Sequence, residues 1–193
     1  RRQRQMCIRD RSCIIIEDKV GLKQNSLFGT DAVQTQDTIE GFCKKIRAGK
    51  EAQITRDFMI VSRCESLIAG KSVDDALERC RAYVEAGVDG IMIHSKEKSG
   101  EDIREFCTRF REQDKYTPII VVPTTYNQFT EEELADWGIN VVIYANHMLR
   151  SAYPAMVKCA ETILRTSRSL EASDEYCMPI KQILNLIPGT KKK

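Results

Sequence analysis

The sequence predicts an α/β fold built on a parallel sheet, and three observations carry that prediction. Short apolar runs recur along the chain, each too brief for a helix and several rich in β-branched residues. Between them lie segments with helical apolar spacing, a capping residue and a closing glycine. Polar and charged residues follow directly after the apolar runs, which gathers them at one edge of the sheet.

The first run, Cys13 to Ile16, leads straight into "EDKVGLKQNS", Glu17 to Ser26, a density of titratable groups beyond what a surface turn needs. "DTIEGFCKKIRAG" then reads as a helix capped by Asp37, with Ile39, Phe42, Cys43 and Ile46 on one face and Gly49 at its end. Phe58 to Ser62 is the second strand. "SVDDALERCRAYVEAG" repeats the helical scheme, with Ser72 as cap, Val73, Leu77, Cys80 and Val84 inward, and Gly87 suited to a left-handed terminus. Gly90 to Ile93 is the third strand, and "SGEDIREFCTRFREQ" presents Ile103, Cys107 and Phe110 as the next apolar face. Ile119 to Val122 follows, then "TEEELADWG" with Thr130, Glu133 and Gly138, and finally Val141 to Ala145.

Continuously apolar strands alternating with amphipathic helices imply parallel pairing, because right-handed crossovers lay each helix over the strands it joins. Five such units fit either a doubly wound sheet or part of an eight-stranded barrel. Both architectures put ligands at the carboxyl edge of the strands. Glu17, Arg63 with Glu65, His94 with Ser95 and Lys96, Thr124 with Thr125, and Asn146 with His147 all fall there. No G-x-G-x-x-G or Walker loop is present, which removes the usual support for a nucleotide site.

Composition narrows the partners. With 193 residues, 42% of them hydrophobic and 30% charged, the chain is long enough for one domain with a real core. The net charge of +2 argues for neither a nucleic-acid nor a membrane partner, since five arginines crowd the first eleven residues and leave the remainder near neutral. No stretch approaches the roughly 18 consecutive apolar residues of a membrane helix. The Arg-rich start is not followed by an apolar segment with a small-residue cleavage site, so the cytoplasm is the expected compartment. Eight cysteines lie without a C-x-x-C pair or a histidine at zinc-ligand spacing, and read as reduced thiols, with Cys43, Cys80, Cys107 and Cys159 as packing residues in helices.

Each edge residue has a structural alternative. Arg63 suits an ion pair with Glu65 on the same strand face, His94 suits a core position, Lys96 and Lys98 suit solvated charges, and His147 is left as structural. Together, an acid suited to a divalent cation or its waters, an arginine that grips oxygens as a planar fork, and a histidine describe a site for a small anionic, oxygen-rich substrate.

"EDKVGLKQNS" matches the E-D-K-x-x-x-x-x-N-S signature of phosphoenolpyruvate mutases, in the isocitrate lyase and phosphoenolpyruvate mutase superfamily. The resemblance continues through "SRCESLIAG", "AGVDGIMIHSK", "VVPTTY", "VVIYANHMLR" and "MPIKQILNLIPGT". It implies an incomplete (β/α)8 TIM-type barrel in which the five strands are the fourth to the eighth. It also implies interconversion of phosphoenolpyruvate and phosphonopyruvate, with Mg2+ as cofactor and a homotetramer as the full-length assembly. Residue by residue, it gives Glu17 to the magnesium shell through water and Lys19 to Leu27 to a gating loop hinged at Gly21. Lys23, Asn25, Ser26 and Leu27 face the active site from that loop, while Arg63, His94 and Asn25 hold the migrating phosphoryl group. Lyases of the superfamily carry a catalytic cysteine in a K-x-C-G-H-type loop, which is absent here. Phosphonopyruvate hydrolase is the nearer rival, against which Asn25 and Ser26 favour the mutase.

The resemblance departs at the front. The first three barrel strands have no counterpart, and with them go a substrate-binding loop, an acidic group and paired aspartates near the metal. Residues 1–12, "RRQRQMCIRDRS", read as a non-native or disordered basic leader ahead of a partial barrel over 13–193, with a nucleic-acid arm as the alternative. On this reading the chain alone is expected to be inactive. A non-catalytic half-barrel that binds a partner is the alternative of another class. The apolar spacing of Ile180, Ile183, Leu184 and Ile187 permits a C-terminal helix to dock on a neighbouring subunit.

Overall fold

The computed structural model describes residues 12–21 and 35–186. Lys23, Asn25, Ser26 and Leu27, nearly all of the basic leader, and Ile187 lie outside the described residues. The chain divides into two compact units, Arg1–Tyr144 and Ala145–Lys193.

In the first unit the order is β1 (Cys13–Glu17), β2 (Lys19–Val20), β3 (Thr35–Gln36), α1 (Ile39–Glu51), β4 (Met59–Cys64), α2 (Val73–Glu85), β5 (Gly90–Ile93), α3 (Glu101–Arg111), β6 (Ile119–Val121), α4 (Glu131–Asp136) and β7 (Val141–Val142). The main sheet runs β1-β4-β5-β6-β7, every neighbour parallel. Its strands follow chain order without the reversal that marks a doubly wound sheet, so the alternative left open by the sequence resolves to a barrel segment. β2 and β3 form a separate antiparallel ribbon.

The sheet has two unlike faces. Ile91, Ile93, Ile119, Val121 and Cys64 pack with Phe42, Ile46, Leu77, Cys80, Ile103, Phe106 and Leu134 of α1 to α4, giving the larger core. Successive strand side chains alternate between faces, and the opposite face carries a smaller cluster of Val61, Met92 and Ile120, with Cys13, Val122 and Ile143 against it. Registers Glu17↔Arg63 and Arg63↔Met92 place the polar residues at the carboxyl end of this second face.

Most helical punctuation agrees with the sequence. Ser72 accepts from the Asp75 amide, and Thr130 with Glu133 forms a reciprocal capping box. Two details differ. The cap of α1 is Thr38, which accepts from the Gly41 amide at 3.0 Å, because Asp37 is drawn to Lys45 Nζ at 2.6 Å and to the Thr38 amide. Gly49 lies inside α1 instead of ending it, and a Cβ there would meet Ile60 Cδ1 at 3.0 Å, so the glycine lets helix and strand approach closely.

The second unit holds α5 (His147–Thr166), α6 (Leu170–Tyr176) and α7 (Ile180–Ile183), with α5 and α6 in contact. Asn146 and His147, expected after the last strand, stand at the start of α5. Cys43, Cys80 and Cys107 are buried as expected, but Cys159 is only half-buried and its sulfur lies 3.9 Å from that of exposed Cys177. The α5 apolar face does not enclose it as the others are enclosed.

Candidate active site

β1 and β4 end side by side, so Glu17 and Arg63 are cross-strand partners, with Arg63 Nη1 3.5 Å from Glu17 Oε1. Two residues further on, Glu65 returns to the same face and accepts a short hydrogen bond from Arg63 Nε. Lys19 joins from β2, its Nζ 2.7 Å from Glu65 Oε2 and 3.8 Å from Glu17 Oε2. His94 follows β5 with the parity of Met92, and the cluster of charges acts on it directly. The structure thus brings Glu17, Arg63 and His94 to one place. The ion pair between Arg63 and Glu65, weighed in the sequence as the structural alternative, is also present.

Electrostatics divides these groups. Burial drives the His94 imidazole down to about 4, and neighbouring Arg63 pushes the same way, so the ring is neutral at pH 7. His94 is 4% exposed, and its Nδ1 has no hydrogen-bond partner among the described residues. A buried, unpaired ring nitrogen is costly unless a ligand or water meets it. Burial raises the Glu65 carboxyl, but Arg63 and Lys19 outweigh it and hold the group below the ordinary glutamate range.

The sequence reading missed Asp18. It has the opposite parity to Glu17 and is fully buried on the helix side, where its carboxylate accepts from the Glu65 amide at 2.9 Å, Tyr83 Oη at 2.7 Å and Gln36 Nε2 at 2.8 Å. Burial raises its carboxyl against these hydrogen bonds. The α2 face is correspondingly wider than its apolar spacing suggests, since Arg79 and Tyr83 are buried alongside Leu77 and Cys80.

For a divalent cation, Glu17 offers one carboxylate at the strand end, which it shares with Arg63 and Lys19. The described residues contain no group of three His, Cys, Asp or Glu that could hold a metal ion. Glu17 therefore fits as one member of a metal shell, and the set as described does not make a complete one.

Sequential parallel strands with helices on one face and charge at their carboxyl ends define an α/β barrel-type enzyme scaffold. Residues 4–164 match the family model described as phosphoenolpyruvate phosphomutase. The chain is 39% identical over 173 residues to a phosphoenolpyruvate phosphomutase of Streptomyces hygroscopicus, covering 90% of this chain and 53% of that one. A crystal structure of a phosphoenolpyruvate phosphomutase from Streptomyces platensis subsp. rosaceus superposes with a TM-score of 0.83 at 36% identity, over 94% of this chain and 61% of the other. A phosphonopyruvate hydrolase solved with oxalate and Mg2+ gives 0.75 at 35% identity, over 90% and 57%. The chain belongs to the phosphoenolpyruvate phosphomutase family, and it spans about half the length of the curated relatives it matches.

Proposed function

We propose that this chain forms the phosphoryl-holding half of a phosphoenolpyruvate mutase, a cytoplasmic, magnesium-dependent homotetramer that interconverts phosphoenolpyruvate and phosphonopyruvate in phosphonate biosynthesis. The observation that carries the reading is the buried His94 beside Arg63 at the carboxyl edge, with its Nδ1 unmatched among the described residues. Arg63 offers guanidinium N–H donors to a group rich in oxygens, and neutral His94 offers a ring N–H without competing for protons at pH 7. Phosphoryl transfer through a loose, metaphosphate-like state is helped mainly by such positioning and by dispersing charge over the oxygens. Magnesium would add charge neutralisation near Glu17. From the family resemblance, Asn25 and Lys23 assist transfer, and Ser26 and Leu27 complete the substrate's surroundings.

Turnover is assigned to a protein that joins these residues to the first strands of the family barrel. Phosphorus NMR of the joined protein with phosphonopyruvate and magnesium checks the reading: phosphoenolpyruvate should appear, and Arg63→Ala should abolish its formation while the fold persists. Pyruvate and inorganic phosphate would instead assign the hydrolase reaction. Full activity of Arg63→Ala would remove Arg63 from the site.

A further inference from the structure

Behind the charged cluster, on the helix side of the sheet, side chains close a ring of hydrogen bonds. Asp18 Oδ2 accepts from Tyr83 Oη at 2.7 Å, and Tyr83 Oη accepts from Arg79 Nη1 at 3.2 Å. Arg79 Nε donates to Asp75 Oδ2 at 2.9 Å, and Ser66 Oγ donates to the same oxygen at 2.6 Å. Gln36 Nε2 then bridges Ser66 Oγ at 3.0 Å and Asp18 Oδ2 at 2.8 Å, closing the circuit. None of these groups touches a substrate in the reading above, and four separate segments contribute to the ring.

One bond leaves the ring toward the site. Asp18 Oδ1 accepts the Glu65 amide at 2.9 Å, while the Asp18 amide donates to the Arg63 carbonyl at 3.1 Å and its carbonyl accepts the Asp37 amide at 2.8 Å. Asp18 therefore grips the main chain on both sides of Cys64. Glu65, only 1% exposed, in turn holds Arg63 Nε and Lys19 Nζ. A long guanidinium arm is mobile unless its partner is fixed, and a partner is fixed when its own backbone is tied to a buried hydrogen-bonded network.

We propose that Asp18 is a positioning residue for the phosphoryl-holding site: through the Glu65 main chain it sets the orientation in which Glu65 presents Arg63 and Lys19 to the ligand. The inference rests on the reading of Arg63 as an anion-holding residue, and its test separates the two. In 15N-labelled chain, the Arg63 Nε–H resonance, assigned by its loss in Arg63→Lys, should be protected from solvent exchange by the bond to Glu65. Asp18→Asn keeps the size of the side chain but no longer offers two anionic acceptors. It should expose Arg63 Nε–H to exchange and weaken binding of oxalate with Mg2+ by about tenfold or more, the scale set by loss of supporting residues, while thermal unfolding stays cooperative. Should Asp18→Asn fail to fold, Tyr83→Phe combined with Gln36→Leu strips two of the donors that hold the carboxylate and should raise Arg63 Nε–H exchange in the same direction.

An unchanged Arg63 Nε–H signal in whichever of these variants folds would overturn the role of Asp18, whatever the oxalate result. Failure of the wild-type chain to bind oxalate with Mg2+, or undiminished binding by Arg63→Ala, would instead overturn the ligand reading, with the exchange measurement still deciding the positioning role.

Discussion

Replacing His94 with glutamine should remove a specific acid sensitivity from this fold. The unfolded chain takes up a proton at the ordinary histidine value of 6.5, whereas the folded chain waits until about 4, because burial and Arg63 disfavour the charged ring. Between those values the unfolded state binds more protons, so stability is complete above about pH 7 and declines as the pH falls. The displacement from 6.5 to about 4 corresponds to about 3 kcal/mol in total, of which about 2 kcal/mol is lost by pH 5. Urea unfolding followed by fluorescence of Trp137, the sole tryptophan, reads the same unit. Subtracting the wild-type curve of stability against pH from that of His94→Gln cancels the carboxylates common to both proteins. The difference should grow by about 2 kcal/mol between pH 7 and pH 5. With only two histidines in the chain, proton NMR gives an independent check through the midpoint of the His94 ring signal. Parallel stability curves together with a midpoint near 6.5 would refute the account of His94 as a buried neutral ring.

The helix-side core and the second unit give separate predictions. Phe106 is fully buried and stacks on Phe110 with ring centroids 5.5 Å apart, so Phe106→Ala should lower urea-derived stability by about 3–5 kcal/mol through lost burial and a residual cavity. Cys159 and Cys177, with sulfurs 3.9 Å apart, should form an intramolecular disulfide on treatment with oxidised glutathione, two thiols yielding one disulfide and two reduced glutathiones. Intact-mass analysis should show loss of two hydrogen atoms, and an unchanged thiol count would refute the pairing.

The sequence made the architecture legible because each unit carries its own local signature. The runs at Ile60, Ile91 and Ile119 are too short for helices, and the caps at Ser72 and Thr130 mark starts that periodicity alone leaves vague. The α1 cap shifted by one residue because Asp37 found Lys45 and the Thr38 amide, a local competition between two adequate capping side chains. That Glu17, Arg63 and His94 come together was legible because parallel strands put all their ends on one edge. Asp18 was not, since its defining bonds reach residues 47 and 65 positions away and follow no local period. Lys23, Asn25, Ser26 and Leu27 lie outside the described residues, and their assignments rest on the family signature.

Alternation at the end of β1 links these two parts of the site. Glu17 turns to the face that carries Arg63, Glu65 and His94, while Asp18, one residue later, turns into the helix side and anchors the backbone of β4. Among the described residues the charges on the first face balance, two carboxylates of Glu17 and Glu65 against Arg63 and Lys19, with His94 neutral at pH 7. A bare dianion entering such a cluster gains little net attraction and must displace an existing ion pair. A dianion accompanied by a divalent cation brings no net charge, and lets the cation approach the carboxylates as the anion approaches the guanidinium. Binding of oxalate should therefore depend on magnesium far more than a simple arginine-lined anion pocket would require.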